Sequence, residues 1–488
     1  MASAEGTRSA LPPLNEADVA EEIGRRADTV WTDGDGDGDG DGDGREGQAP
    51  AIAKVGAGEL RGPGGRVAIV DGCRTPFAKS GTDLADLDVI DLASAAAGEL
   101  VTRSGLEPSE IGLSVFGCVV PALHAPNLGR EVVFRASLPL TVPGTTVNLA
   151  CASANRAITS CAEAILTGQT AVALAGGAES LSNVPIRYSK NAARRLVELS
   201  KAKTIGRKLG VLAKVRPRDL APVPPAIAEY TTGMTMGQAC EKMAKENDVS
   251  RRAQDEIALM SHQRAAAAAA EGRFDRQIVT LYPRPGHRPV SADNGVRADS
   301  TADALAGLRP VFDKRYGTLT AGNSSPITDG GSAVLLMSEE RARDLGLEPL
   351  GFIRSWAWAA LDPGSQLLQG PAYAAPRALD LAGLTLADVD LVEMHEAFAA
   401  QIVSNLKAFA SPKFAREELG RSAPLGEVDL ERFNVNGGSI SIGHPFGATG
   451  GRVTMQLLFE LERRGLNLGL MTVCAAGGVG FAMVVERN

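Results

Sequence analysis

Apolar positions recur with two alternating periods along most of this chain. Val67-Ala68-Ile69-Val70 is a short continuous apolar run and predicts a buried strand. Asp88 to Ser104 carries apolar residues at helical spacing, stopped by Gly105, and predicts an amphipathic helix; Ile111 to Val120 predicts another strand. From Thr145 to Leu149 a β-branched run leads through small residues at Cys151 into a segment with Ala157, Ile158, Cys161, Ala164 and Ile165 at helical spacing, closed by Gly168. That pattern reads as strand, tight turn, helix. A further apolar run, Ala171 to Gly177, ends in glycines. Strands alternating with helices predict a parallel or mixed sheet covered on both faces.

Between Asn183 and roughly Gly317 the pattern turns helical, with Leu196, Leu199, Leu209 and Leu212 at helical spacing and an alanine-rich stretch from Gln254 to Ala270. Strand signals return at Gly317 to Asn323 and at Ala333 to Met337. From about Leu347 the outline of the first third repeats: a strand at Asp390 to Met394 leading into His395-Glu396-Ala397-Phe398 and a helix, then the glycine-framed loop Asn436 to Gly450 before a helix ending near Arg463. Leu468 to Val473 predicts a strand ending at Cys474, a glycine turn follows, and Val479 to Val485 predicts the closing strand. Two strand-helix halves with reactive residues at strand ends or in loops suggest a duplicated α/β fold around one shared site.

Composition changes this picture at the N-terminus. The chain has 488 residues, 44% of them hydrophobic, enough for two or three domains with substantial cores. Residues 1–65 hold six consecutive Asp-Gly pairs from Asp33 to Gly44 and 14 acidic against 6 basic side chains, a net of -8 that equals the charge of the whole chain. The body is therefore neutral, and so glycine-rich and apolar-poor an extension predicts a disordered tail. Its acidity argues against a mitochondrial transit peptide, no secretory signal pattern precedes it, and no long apolar run predicts a membrane span. A soluble, cytoplasmic protein is expected. The six cysteines show no CxxC pair or metal-ligand spacing, so neither a disulfide framework nor a metal is implied. Charge is uneven in one other place. From Arg187 to Asp219 there are 11 basic residues against 2 acidic ones.

Cys151 falls at a predicted helix start, where unpaired N–H groups and the positive dipole end favour thiolate and predict a pKa below the usual ~8.5. Alone, a cysteine is more often a buried structural residue. Its weight comes from company. Cys151-Ala152-Ser153, His395-Glu396-Ala397-Phe398, Gly443-His444-Pro445 with Gly447-Ala448-Thr449-Gly450, and Cys474-Ala475-Ala476-Gly477-Gly478 stand in the order and spacing of the thiolase family, which the chain resembles over residues 66–488. Within that family it looks most like the thiolase (β) subunit of the fatty-acid oxidation trifunctional complex. His395 stands where most members have Asn, the insertion is long and basic, and the cysteine motifs have the Cys-Ala-Ser-Ala-Asn and Cys-Ala-Ala-Gly-Gly forms.

The resemblance implies a duplicated five-layer αβαβα fold with a helical loop-domain insertion. The first half would comprise 66–182 with 318–344, the loop domain 183–317 and the second half 345–488. It implies a 3-ketoacyl-CoA thiolase (acetyl-CoA C-acyltransferase), which uses CoA to cleave 3-ketoacyl-CoA to acetyl-CoA and a shortened acyl-CoA in β-oxidation. The alternatives are a biosynthetic acetyl-CoA C-acetyltransferase and a non-catalytic thiolase-like subunit. Cys151 would be the nucleophile that carries the acyl group, His444 its base, and Cys474 the acid that protonates the acetyl-CoA enolate. The backbone N–H groups of Cys151 and Ala476 would form one oxyanion pocket, and His444 with His395 the other. Most members have glycine where Ala476 stands. CoA would be a substrate rather than a cofactor, held in part by the segment Asn323-Ser324-Ser325.

Implied partners are acyl-CoA and CoA, a second copy or a dimer of dimers, a hydratase/3-hydroxyacyl-CoA dehydrogenase α subunit, and a peripheral membrane contact at the basic insertion. Nothing points to nucleic acid, and no dinucleotide or Walker loop is present. A ketoacyl synthase or hydroxymethylglutaryl-CoA synthase would share the fold but not the terminal Cys474 motif. His124, His262 and His287 lie in no motif and are expected to be structural or on the surface.

Overall fold

The computed structural model describes residues 60–223 and 228–488. The Asp-Gly run and the rest of residues 1–59 lie outside the described residues. Among the described residues there are ten strands: β1 (Val67–Arg74), β2 (Ala78–Lys79), β3 (Leu113–Gly117), β4 (Gly144–Val147), β5 (Val172–Glu179), β6 (Thr328–Ser338), β7 (Gly351–Ala360), β8 (Leu391–Met394), β9 (Leu468–Ala475) and β10 (Val479–Glu486). They follow the order β4-β3-β5-β6-β1-β7-β10-β9-β8, with β2 on the side of β6.

This path is two copies of one topology. In the first, β4, β3 and β5 are parallel while β6 and β1 follow antiparallel. In the second, β8 and β9 are parallel while β10 and β7 follow antiparallel. Where β4 flanks β3, Phe433 makes an isolated parallel bridge to Val392 of β8, so the second copy keeps a vestige of its outer strand. The copies meet at β1 and β7 through the pairs Ala68–Phe352 and Ile69–Gly351.

Period-two burial then sorts the side chains into layers. Val67, Ile69, Ala173, Ala175, Val334 and Leu336 face a middle core, together with Ile353, Met471, Val473, Phe481 and Met483 of the second copy. Their alternates Ala68, Val70, Val172, Leu174, Ala333 and Leu335 face an outer core under helices Val89–Ser104 and Leu128–Arg135. On the other side Leu470, Ala482 and Val484 face helices Gly370–Ala382 and Ala399–Ala410. Between the copies lie helices Ser153–Leu166 and Thr449–Arg464, the latter buried at every residue from Thr449 to Leu461. Helix, sheet, helix, sheet and helix make five layers.

Local signals explain most boundaries. Asp88 caps helix Val89–Ser104 through a capping box and Gly105, at φ 65°, ends it. The predicted Ile111–Val120 strand stops at Gly117 because the N–H groups of Val119 and Val120 donate to the Glu179 carboxylate. β5 runs on through Gly176-Gly177 instead of ending there. A Cβ on Gly177 would lie 1.9 Å from the Gly447 carbonyl oxygen, so glycine at 177 lets the loop before the second middle helix sit on the strand.

Between β5 and β6 the described chain is helical, with helices Lys190–Lys201, Ile205–Leu212, Met236–Glu246 and Arg251–Ala270. The strand expected at Gly317–Asn323 is absent. The Asn323 side chain accepts from the Thr320 N–H and donates to Asp255 and the Thr318 carbonyl, which closes a turn, while Thr320 makes only an isolated bridge to Pro310.

Candidate active site

The turn before the first middle helix is strained and stapled. Ala150 sits at φ 46°, a region that a residue with a Cβ seldom adopts. The Asn148 side chain accepts from the Ala150 N–H at 3.1 Å, and the Ser153 hydroxyl donates to the Ala150 carbonyl at 2.7 Å while accepting from the Leu149 N–H at 2.8 Å. Together they place Cys151 just before Ala152, the N-cap of helix Ser153–Leu166.

The second middle helix begins at Thr449, and its approach loop presents His444. His444 Nε2 lies 3.1 Å from Cys151 Sγ, and its Nδ1 lies 2.7 Å from the Thr449 hydroxyl. That hydroxyl donates its one proton to the Pro445 carbonyl at 3.0 Å, so it accepts from Nδ1–H. The tautomer is thereby fixed: the lone pair of Nε2 faces the thiol.

His395 follows β8, fully buried, with its ring centroid 4.1 Å from that of His444. Its Nδ1 is 2.9 Å from the Ser439 hydroxyl, which accepts at 2.8 Å from the buried Arg452. With one Ser439 lone pair taken by Arg452, the hydroxyl keeps a proton it can donate to Nδ1; the tautomer that accepts it carries its hydrogen on Nε2, an atom with no partner among the described residues. Glu396, next in sequence, accepts from Ser261, Asn434 and the Ile440 N–H, tying the two loops together. Cys474 is buried near the end of β9, close enough for the charge of one thiolate to bear on the other.

Electrostatics correct one expectation. The helix start does not lower the Cys151 thiol. Burial pushes it up to about 12, opposed by hydrogen bonds from the backbone N–H groups of Ala476 and Cys151 itself. Burial and Arg452 hold His444 down at about 3, and burial, then His444 and Arg452, hold His395 well below its ordinary value. The resting pair is a neutral thiol donating to a neutral imidazole. The Cys474 thiol is pushed up by burial and by Cys151.

The segment expected to hold substrate divides. Asn323 is fully buried and its amide is consumed in the turn described above. Ser324 bridges Phe398, its hydroxyl buried without a partner, and the Ser325 N–H donates to the Ala397 carbonyl, so both run beside the His395 loop. A cavity of about 220 Å³ opens beside the segment, touching its flanks at Gly322 and Pro326 but none of the three residues, and is lined also by Lys79, His262, Arg297 and Asp299. His262 thus lies on a cleft wall, accepting from the Arg297 N–H at 3.3 Å, whereas His124 is exposed. Ser439, Arg452 and Glu179 escaped the sequence reading because none sits at a predicted helix start or strand end. The signal for Ser439 was its place in the glycine-framed loop.

A chain folded into two copies around a cysteine-histidine pair and a second cysteine matches two family models, the N-terminal domain of thiolase over residues 67–340 and the C-terminal domain over 347–487. The 3-ketoacyl-CoA thiolase of Yersinia enterocolitica is 50% identical over 423 residues, covering 87% of this chain and 97% of its own. That of Alteromonas mediterranea is 49% identical over 425 residues, covering 87% and 98%. Among solved structures, the acetyl-CoA acetyltransferase of Bacillus anthracis superposes with a TM-score of 0.73 at 34% identity over 86% of this chain and 98% of its own. Human mitochondrial 3-ketoacyl-CoA thiolase superposes with 0.73 at 30% over 88% and 99%. The chain belongs to the thiolase family of acyltransferases.

Proposed function

We propose that the protein is a 3-ketoacyl-CoA thiolase that shortens acyl-CoA by two carbons in the degradative direction. The observation that carries the reading is the Cys151–His444 contact with the unpartnered His395 Nε2 beside it. His444 Nε2 takes the Cys151 proton as Sγ attacks the 3-keto carbon, and the backbone N–H groups of Cys151 and Ala476 receive the oxyanion. Collapse breaks the bond between C2 and C3 and puts its electron pair into the enolate of acetyl-CoA. His444, now protonated, and His395 Nε2–H donate to the enolate oxygen, and Cys474 delivers its thiol proton to C2.

Free CoA then gives its proton to Cys474 and attacks the acyl-Cys151 thioester. Cys151 leaves as thiolate and recovers its proton from His444. A thiolate is suited to both roles, attacking softly and leaving easily. Nothing in these steps requires a metal or a nicotinamide.

The cleft beside Asn323-Ser324-Ser325 fits an anionic part of the CoA ester, because Lys79 and Arg297 line it against the single acid Asp299, and burial together with Arg297 lowers the Lys79 ammonium. The basic helices supply a second surface. Ile205 is 78% exposed and Leu209 62% exposed, and helix Ile205–Leu212 buries no residue, so an apolar, cationic face stands unpartnered. We assign it to a hydratase–dehydrogenase subunit, with an anionic bilayer as the competing occupant. Among the described residues no helix is long and apolar enough to cross a membrane. We further assign a homodimer or dimer of dimers acting in the cytoplasm.

The test is thiolysis of 3-ketoacyl-CoA esters of increasing chain length with free CoA, followed by loss of enolate absorbance. Turnover of medium or long esters supports the reading. Activity confined to acetoacetyl-CoA and stronger in condensation would replace it by the biosynthetic acetyltransferase, the activity named for the Bacillus anthracis neighbour.

A further inference from the structure

We infer that Cys151, His395 and His444 are a three-ligand site for a thiophilic divalent cation of the zinc class, and that its occupancy reversibly blocks the nucleophile. One ligand atom from each residue lies within 4.8 Å of the others. Two of the three can be named from their other contacts: His444 Nδ1 is engaged by Thr449 and His395 Nδ1 by Ser439, so the nitrogen each ring has left to offer is Nε2, and that of His444 faces the sulfur. His395 Nε2 is fully buried and unpartnered, an independent sign that this pocket lacks a ligand on that side. With Asn in its place the set would fall to two donors.

The donor set selects the ion. One thiolate and two imidazoles suit zinc and reject magnesium and calcium, which demand oxygen. Tetrahedral zinc with bonds of about 2.0 to 2.3 Å separates its ligands by roughly 3.3 to 3.6 Å. Sγ and His444 Nε2 stand at 3.1 Å, and since no pair exceeds 4.8 Å the widest must close by at most about 1.3 Å. The outer contacts also fit: Thr449 accepts from His444 Nδ1–H, the arrangement that holds a metal-bound imidazole, and the Ser439 hydroxyl can turn from donor to acceptor as the His395 proton moves to Nδ1. Binding releases the Cys151 thiol proton to solvent, so affinity rises with pH. A fourth position remains open toward substrate. While the ion is held, it shares one of the Sγ electron pairs and fills the space beside Sγ that a ketone must enter, which suppresses attack.

Zinc chloride titrated into the full-length protein, with cobalt chloride as the spectroscopic probe, tests the site without relying on turnover. Expected results are one ion per chain, a thiolate-to-cobalt charge-transfer band, and slower iodoacetamide alkylation of Cys151 that EDTA restores. Magnesium should do neither. His395→Asn should weaken zinc on the order of a hundredfold, and Thr449→Val about tenfold. Should His395→Asn fail to fold, the wild-type cobalt spectrum and the alkylation rate decide alone. Cobalt bound without the charge-transfer band, Cys151 alkylated at an unchanged rate under saturating zinc, or unaltered zinc affinity in a folded His395→Asn would each overturn the inference.

Discussion

Helices Ser153–Leu166 and Thr449–Arg464 start from equivalent places in the two sheet copies, yet they bring unlike groups to the centre. The first copy delivers a nucleophile from a tight turn after β4, held by Asn148 and Ser153. The second lacks a full β4 equivalent, and the chain freed there runs from Phe433 to Ala448 through the short helix Ser439–Ile442, carrying Ser439 and His444. The strand ends differ too. β5 ends in Glu179, which receives the N–H groups of Val119, Val120 and Gly447 and acts as a brace, whereas its counterpart β9 ends near Cys474. β3 leads into that brace and β8 into His395. Duplication preserved the backbone scaffold while only one strand end per pair kept a reactive side chain. The nucleophile and its base can therefore be broken separately.

Cys151→Ser should cut thiolysis by at least about 10⁴-fold, since a hydroxyl yields its proton to His444 far less readily than a thiol and an alkoxide is the poorer nucleophile and leaving group here. Mass spectrometry after incubation with acyl-CoA should find no acyl-enzyme. Acyl label on Cys474 instead would reverse the assignment of the two copies. Cys474→Ala should still acylate at Cys151 but lose about 10² to 10⁴-fold in turnover and fail to exchange the α-protons of acetyl-CoA with deuterium oxide. Ser439→Ala sharpens the comparison within the second copy. With Ser439 gone, His395 keeps its place in the wall but not its fixed tautomer, and kcat should fall about tenfold or more with KM little changed. In a His395→Asn background the same change should have almost no effect, because the residue it orients is absent.

Legibility in the sequence followed period and chemistry. Helix Val89–Ser104 was readable to within one residue: Gly105 marks its end, while Asp88, read as its first residue, is the cap before it. Cys151, His395, His444 and Cys474 stood out because reactive residue types fell in the order of a family's motifs, and the fold brings Cys151, His395 and His444 together. β7 is less legible, since Arg354, Trp356 and Trp358 give it a half-buried face and its start carries no reactive residue to draw attention. The Gly317–Asn323 stretch imitated a strand by its threonines, but the Asn323 side chain imposed a turn that only tertiary contacts with Asp255 reveal. The helix-start argument for a low Cys151 pKa failed because it counted dipoles and omitted desolvation.

Buried carboxylates behind the site set the pH dependence of stability. Burial raises Glu393 from 4.5 to about 8 and Glu179 from 4.5 to about 7. Across those windows the native state keeps a proton that the unfolded chain has lost, so stability falls as pH rises. His444 at about 3 and His262 at about 4 act with the opposite sign, but their effect is complete by the ordinary 6.5. Between pH 6.5 and 8, thermal melts should therefore show declining stability, and Glu393→Gln, which preserves the contact with Gln456, should flatten the decline. An unchanged slope in that variant would remove Glu393 from the account.

The smallest expected effect on catalysis is at the basic helices, and there the contrast is between surface and centre. Lys201, Lys203, Arg207 and Lys208 are exposed, and helix Ile205–Leu212 has no buried residue to transmit a change inward. Replacing the four by Gln should leave thiolysis of a short soluble ester within a few-fold. Association with a partner should respond instead, because clustered cations act through a field that salt screens over about 10 Å at 0.1 M. Co-purification with a hydratase–dehydrogenase subunit should fall in the variant, and in the wild type it should weaken as salt rises. If binding to anionic vesicles falls while subunit capture is unchanged, the bilayer is the occupant. Collapse of short-ester thiolysis with both associations intact would instead make these helices part of the substrate wall, and the separation of surface from centre would not hold.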